Sequence, residues 1–184
     1  MFDDDATVVR SILDLYETLW KSSIGVDLLY EDNATDKTKL QVVSNEYWRQ
    51  IIQQLERRPE LMRSMPPRKF EELVAELLVR EGLRVTLTPQ VRDGGRDILA
   101  ALNSPTGEHL YLVECKRYSQ DRPVGVELVR QLYGVVEIER ATAGLLVTTS
   151  SFTAGAVKLQ NNIAHRISLR DYDGLVTWIK KLAL

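Results

Sequence analysis

The stretch Asp97-Ile-Leu-Ala-Ala-Leu-Asn-Ser-Pro-Thr-Gly-Glu-His-Leu-Tyr-Leu-Val-Glu114-Cys115-Lys116 decides the fold. Residues 98–102 are a short apolar run. Residues 103–108, with Pro105 and Gly107, carry the residue types of a hairpin-type loop. Residues 110–117 then alternate as a strand. Alternation sends Leu110, Leu112, Glu114 and Lys116 to one face and Tyr111, Val113, Cys115 and Arg117 to the other. Glu114 and Lys116 therefore share a face, roughly 6–7 Å apart along the strand. Asp97 opens the preceding strand just after a turn signal, Asp93-Gly94-Gly95.

Upstream, residues 67–81 repeat Phe70, Leu73, Val74, Leu77 and Leu78 at helical spacing, closed by Gly82. Residues 83–88 alternate as a strand. Downstream come a helix over 124–140, a buried strand over 144–149, a short helix from Thr153, a strand near 167–169 and a helix over 172–182. The first three strands have short connections and form an antiparallel meander. The helix between the third and fourth strands is a crossover, which makes those two parallel. The expected fold class is α/β: a mixed sheet flanked by helices.

Residues 1–65 read differently. Residues 6–20 and 45–58 have helical periodicity, the second with Trp48, Ile51, Ile52 and Leu55 on one stripe. Residues 31–39 are a polar loop, and Pro59 and Met65-Pro66-Pro67 break the pattern. The expected organisation is an acidic helical extension over 1–65 and a domain over 66–184. Residues 1–66 hold 8 Lys+Arg against 12 Asp+Glu, and the remainder holds 16 against 14. A basic field is thus available only in the second part, where Arg92, Arg96, Lys116, Arg117, Arg122 and Arg130 fall near Asp97 and Glu114. The extension has no basic recognition helix. It is expected to pack on the second part, build a dimer or dock a protein partner.

Bulk composition excludes several classes. At 44% hydrophobic and 27% charged the chain is globular rather than disordered. No apolar run approaches the length of a membrane span, and the acidic start, Met1-Phe2-Asp3-Asp4-Asp5, is unlike an export signal. One cysteine and two histidines exclude an internal disulfide and a Cys/His zinc site, and fit a reducing cytoplasmic setting.

The residues that carry chemistry are acids and a lysine. Two carboxylates from adjacent strands suit Mg²⁺, which takes few protein carboxylates and keeps waters. On its own the Glu-x-Lys tripeptide is common, and a solvated strand end is the better account of it. Glu71 lies in line with Val74, Ala75 and Leu78 at the border of a buried stripe, whereas Glu72 lines up with Glu76 and Arg80 in an expected solvated row. Gln131 lies at the edge of the apolar stripe of the next helix. Thr148-Thr149-Ser150-Ser151 ends a strand before a helix. Its hydroxyls suit a backbone phosphate, and Ser151 or Thr153 suits a helix cap. Cys115 reads as a buried apolar residue, and Trp20, Trp48 and Trp178 read as core.

With these blocks in place the chain resembles the Mrr-like restriction endonucleases of the PD-(D/E)XK nuclease superfamily. The resemblance runs from about Phe70 to Asp171. It rests on F70-E71-E-L-V-A-E-L-L, E81-G82-L-R-V, D93-G94-G95-R-D97-I98, V113-E114-C115-K116-R117-Y118, V129-R-Q131-L-Y-G134, L146-V147-T148-T149-S-S-F152-T153 and I167-S-L-R-D171. It implies a restriction-endonuclease-like fold and Mg²⁺-dependent hydrolysis of DNA phosphodiesters, with Mn²⁺ able to substitute, leaving 5′-phosphate and 3′-hydroxyl ends. By position, Asp97, Glu114 and the Cys115 backbone carbonyl would hold the metal. Lys116 would orient the attacking water, Glu71 would bind metal directly or through water, and Gln131 would face the site. Many members carry Gln where this chain has Glu114, and a carboxylate is the stronger metal ligand. Arg96, Arg117, Thr149 and Ser150 are the candidate DNA contacts. The implied partners are double-stranded DNA and, because duplex cleavage needs two sites, a second copy in a homodimer or larger homo-oligomer. A repair or junction-resolving nuclease, or a non-catalytic binding module, are the alternatives on the same fold.

Overall fold

The computed structural model describes residues 40–41, 46–88 and 96–183. The expected elements over 6–20 and 31–39, the Asp93-Gly94-Gly95 turn, Arg92 and Trp20 lie outside them. Lys37–Leu184 forms one compact unit. Its elements are β1 (Leu40–Gln41), α1 (Glu46–Arg57), a 3₁₀ turn (Pro59–Ser64), α2 (Pro67–Arg80), β2 (Arg84–Leu87), β3 (Ile98–Ser104), β4 (Gly107–Lys116), α3 (Val126–Ile138), β5 (Ala143–Thr148), α4 (Ala154–Asn162), β6 (Ile167–Arg170) and α5 (Tyr172–Leu182).

Among the described residues the strands form one six-stranded sheet in chain order. The first four strands are antiparallel, and β4–β5–β6 are parallel, as the crossover helices require. The register ends at Ile98↔Val113, which brings Asp97, the residue before β3, beside the Val113–Cys115 end of β4. Leu112 and Leu146 enter one buried cluster with Val129, Leu132 and Val136 of α3, Ala156 of α4 and Ile167 of β6. The row holding Glu114 is therefore the row that faces α3. Gly144 lies in this row because a Cβ there would stand 2.8 Å from Ile167 Cδ1 and 2.9 Å from Val136 Cγ2.

On the other side α2 packs against β2, β3 and β4, and α1 packs against α5. The expected stripe of α1 is buried throughout: Trp48, Ile51, Ile52 and Leu55. Glu81, just past α2, accepts from Trp178 Nε1 (3.0 Å) and Lys181 Nζ (2.8 Å) of α5, tying the two helices together.

Two expectations are corrected. Residues 103–108 are not a loop: β3 runs to Ser104, β4 starts at Gly107, and the turn is only Pro105-Thr106. Pro105 presets one turn residue, and Gly107 takes a positive φ of 119°, which allows so tight a reversal. The row Glu72, Glu76 is not solvated either. Both are buried, because α2 is enclosed on nearly every side from Phe70 to Leu78. Each carboxylate is matched on its own helix, Glu72 by Lys69 (2.9 Å) and Glu76 by Arg80 (2.8 Å). A buried ion pair survives only with such matching.

Candidate active site

The first residue before β3 and the last residues of β4 build the site. The Asp97 N–H donates to the Val113 carbonyl (2.9 Å), and Asp97 Oδ2 accepts from the Cys115 N–H at 2.6 Å. The carboxylate thus takes the place of the next main-chain partner where β3 begins. The short distance is that of a charge-assisted bond. Strand parity points the Cys115 N–H and C=O the same way as those of Val113, so the Cys115 carbonyl also opens on the Asp97 side.

Glu114 is 6% exposed at the end of its strand row. Lys116 Nζ lies 2.8 Å from Glu114 Oε1. Burial works against the Lys116 ammonium, but the hydrogen bond to Glu114 and the charges of Glu114 and Asp97 outweigh it. Lys116 therefore holds its proton more firmly than an ordinary lysine. Cys115 is buried, and its thiol is pushed well above the ordinary range, first by burial and then by Asp97 and Glu71. It is an apolar filler with an inert thiol, as expected.

Glu71 approaches from the second turn of α2. Burial raises its carboxyl above the ordinary range; Arg68 opposes this and Asp97 adds to it. Arg68 Nη1 donates both to Glu71 Oε2 (2.9 Å) and to the Thr88 carbonyl (3.0 Å) just past β2. Thr88 in turn donates its N–H to the Asp97 carbonyl (2.9 Å) and its hydroxyl to the Arg96 carbonyl (2.8 Å). Arg68 and Thr88 therefore brace Glu71 and Asp97. Neither was singled out from sequence, although the i,i+3 spacing of Arg68 and Glu71 is a helix ion-pair signal.

Asp97 thus stands within electrostatic reach of Glu71 on one side and of Lys116, paired with Glu114, on the other, and all four act on Cys115 between them. Other candidates are placed elsewhere. Gln131 is exposed on α3 rather than half-buried, because Val129, Leu132 and Val136 carry the packing of that helix. Thr149 and Ser150 are buried, at 0% and 3% exposed. Their hydroxyls are spent on the carbonyls of Tyr118 (2.7 Å) and Gln120 (3.3 Å), which removes them from any phosphate. Thr153 is the helix cap, accepting from the Ala156 N–H. Arg96 pairs with Glu139 at the end of α3, and Arg117 Nη1 donates to the Arg63 carbonyl (2.8 Å). Both guanidiniums are thereby engaged within the chain.

Among the described residues no three Asp, Glu, His or Cys side chains form a metal cage by themselves. Two carboxylates and a main-chain carbonyl fit a hard, oxygen-preferring cation that keeps waters, and do not fit zinc. The Cys115 N–H fixes the Asp97 carboxylate in place. Among the described residues no helix is long and apolar enough to cross a membrane.

Comparison with known proteins places this geometry in context. Residues 62–179 match the family model Mrr_cat, described as restriction endonuclease. An uncharacterised protein, y4cE, of Sinorhizobium fredii (strain NBRC 101917 / NGR234) is 25% identical over 154 residues, covering 83% of this chain and 39% of that protein. The DNA modification-dependent restriction endonuclease AspBHI superposes with a TM-score of 0.56 at 25% identity, over 78% of this chain and 38% of its own. The MspJI restriction endonuclease, solved in complex with a 27-mer oligonucleotide, superposes with a TM-score of 0.51 at 18% identity, over 82% of this chain and 35% of its own. The chain spans less than two fifths of the length of these relatives.

Proposed function

Because this chain belongs to the restriction endonuclease family and shares its fold, we propose that it is a DNA endonuclease of the restriction type that hydrolyses phosphodiesters with Mg²⁺. Mn²⁺ is an expected substitute. The observation that carries the reading is the Asp97 carboxylate, pinned by the Cys115 N–H beside the Glu114–Lys116 pair.

Asp97, Glu114 and the Cys115 carbonyl would hold the cation, with Glu71 reaching it directly or through water. The cation, when bound, supplies charge neutralisation at the phosphate and a more acidic attacking water. Asp97 and Glu114 orient the scissile phosphate by fixing where that charge sits. The Lys116 ammonium stays protonated and stands where negative charge grows on the phosphate, so it stabilises the transition state more than the ground state. Arg68 offsets part of the cost of burying the Glu71 charge. The substrate is double-stranded DNA, in keeping with the oligonucleotide bound by MspJI. Cutting both strands calls for two such sites, supplied by a second copy. Residues 66–184 carry the chemistry, and residues 1–65 dock the second copy or a protein partner, in a cytoplasmic setting.

The test incubates supercoiled plasmid with the protein and Mg²⁺, with EDTA, and with Lys116→Ala or Glu114→Ala. Metal-dependent nicking or linearisation by the wild type, absent from both variants, is expected. Cleavage by Lys116→Ala at the wild-type rate refutes the mechanism. No metal-dependent cleavage of linear, branched or modified DNA refutes the enzyme reading and favours a binding module.

A further inference from the structure

We propose that Thr148, Thr149 and Ser150 are a positioning ladder for Lys116, a role that rests on the nuclease reading above. β4 and β5 pair in register as far as Lys116↔Thr148. There the chain leaves the sheet: the Tyr118 N–H donates back to the Lys116 carbonyl (3.0 Å), a three-residue turn. Past that point side chains take over from the main-chain ladder. Thr148 Oγ1 donates to the Lys116 carbonyl (2.7 Å), Thr149 Oγ1 to the Tyr118 carbonyl (2.7 Å) and Ser150 Oγ to the Gln120 carbonyl (3.3 Å). Three successive hydroxyls thus meet three alternate carbonyls.

The Lys116 carbonyl is the most heavily committed of the three. It also takes the Thr149 N–H (3.3 Å), so it accepts from three residues. Thr148 is fully buried, and its hydroxyl accepts the Ser150 N–H (3.1 Å) while donating to Lys116. The far end of the segment is closed by the Val124 N–H on the Ser151 carbonyl (2.8 Å) and the Thr153 N–H on the Val124 carbonyl (3.0 Å). Residues 117–123 have irregular backbone, yet the segment is held against residues 148–153.

The consequence is for the lysine. Its ammonium sits on a flexible four-carbon stem, so its placement depends on a fixed Cα at one end and on Glu114 at the other. The ladder supplies the fixed Cα. Threonine's stiff χ1 suits the task, since it leaves the hydroxyl few directions to point. Removing the hydroxyl strips the Lys116 carbonyl of its shortest donor, leaves the buried Ser150 N–H without its acceptor and loosens the turn that ends the strand.

The decisive comparison is Thr148→Val, which keeps the shape and loses the hydroxyl, against Thr148→Ser, which keeps the hydroxyl. Steady-state plasmid cleavage with Mg²⁺ across plasmid concentrations gives kcat and KM, and amide hydrogen exchange reports on residues 116–122. For Thr148→Val, kcat should fall by about tenfold or more with KM within about twofold, the signature of misplacement rather than weaker binding. Thr148→Ser should stay within about threefold of wild type in kcat, and only the valine variant should exchange faster over 116–120. Wild-type kcat and exchange in Thr148→Val overturn the ladder. So does an equal loss in Thr148→Ser, which would assign the effect to side-chain shape. If the wild type does not cleave, the nuclease reading falls and the exchange comparison alone decides the ladder: faster exchange in the valine variant supports it, and unchanged exchange overturns it. Should Thr148→Val not fold, Thr149→Val against Thr149→Ser makes the same test at the Tyr118 carbonyl.

Discussion

Asp97 has two duties that two substitutions separate. Its Oδ2 caps the Cys115 N–H at 2.6 Å, and its charge acts on Glu71 and Lys116. Asp97→Asn keeps an acceptor for that N–H and removes the charge. Asp97→Ala removes both. A hydrogen bond to a charged acceptor contributes about 1.5–3 kcal/mol, and a buried donor left unmade costs about 1–3 kcal/mol. Asp97 is only partly buried, so water can reach the vacated place, and about 2 kcal/mol is the expected loss for Asp97→Ala. For a chain of this size that lowers Tm by about 4–8 °C. Asp97→Asn keeps a weaker neutral bond and relieves repulsion with Glu71, so it should lose less than about 1 kcal/mol. Both variants should lose metal-dependent DNA cleavage. Thermal melts in EDTA, paired with plasmid cleavage in Mg²⁺, read the two duties independently. Equal melting temperatures for the two variants would refute the capping role. Wild-type cleavage by Asp97→Asn would refute the role of the charge.

Three other outcomes follow from the packing and the charges. Gly144→Ala puts a Cβ within 3.0 Å of Ile167, Val136 and Leu132 side chains at once; urea unfolding should show a loss of about 1–3 kcal/mol from overpacking. Burial raises the Glu71 carboxyl, so the stability its protonation provides is present below the ordinary glutamate range and lost as pH rises through the raised value. In EDTA, Glu71→Gln should therefore melt above wild type near neutral pH, with the gap closing below about pH 4; a constant gap sinks the assignment. Glu81→Ala strands the indole N–H of buried Trp178 and should cost about 1–2 kcal/mol, whereas Lys181→Ala, an exposed partner, should cost under about 0.5 kcal/mol in the same melts.

Periodicity carried most of the architecture because each helix and strand keeps one face dry. The stripes of α1 and α2 and Trp178 of α5 all reach the core as read. The crossover over residues 124–140 forced β4 and β5 parallel, and that geometry aligns Lys116 with Thr148. Periodicity fails where burial is set by a third layer. Glu72 and Glu76 look solvated on a helical wheel, but a wheel knows only one buried side, and α2 has more than one. It fails again at Gln131, where stripe-edge position does not tell which neighbour arrives. Hydroxyl runs are a further blind spot. Thr149 and Ser150 have the chemistry of a phosphate site, and only the path of residues 116–120 shows that main-chain carbonyls have claimed it. The same path explains why the acid–acid–lysine set was legible while its supports were not. Asp97, Glu114 and Lys116 announce themselves as charges ending apolar strands, which is costly and so conspicuous. Arg68, Thr88 and Thr148 act largely through hydrogen bonds to main-chain carbonyls, and a carbonyl is present at every residue of every sequence. Specificity in this site therefore lies in which carbonyls are left short of partners where strands end, a property of the backbone path.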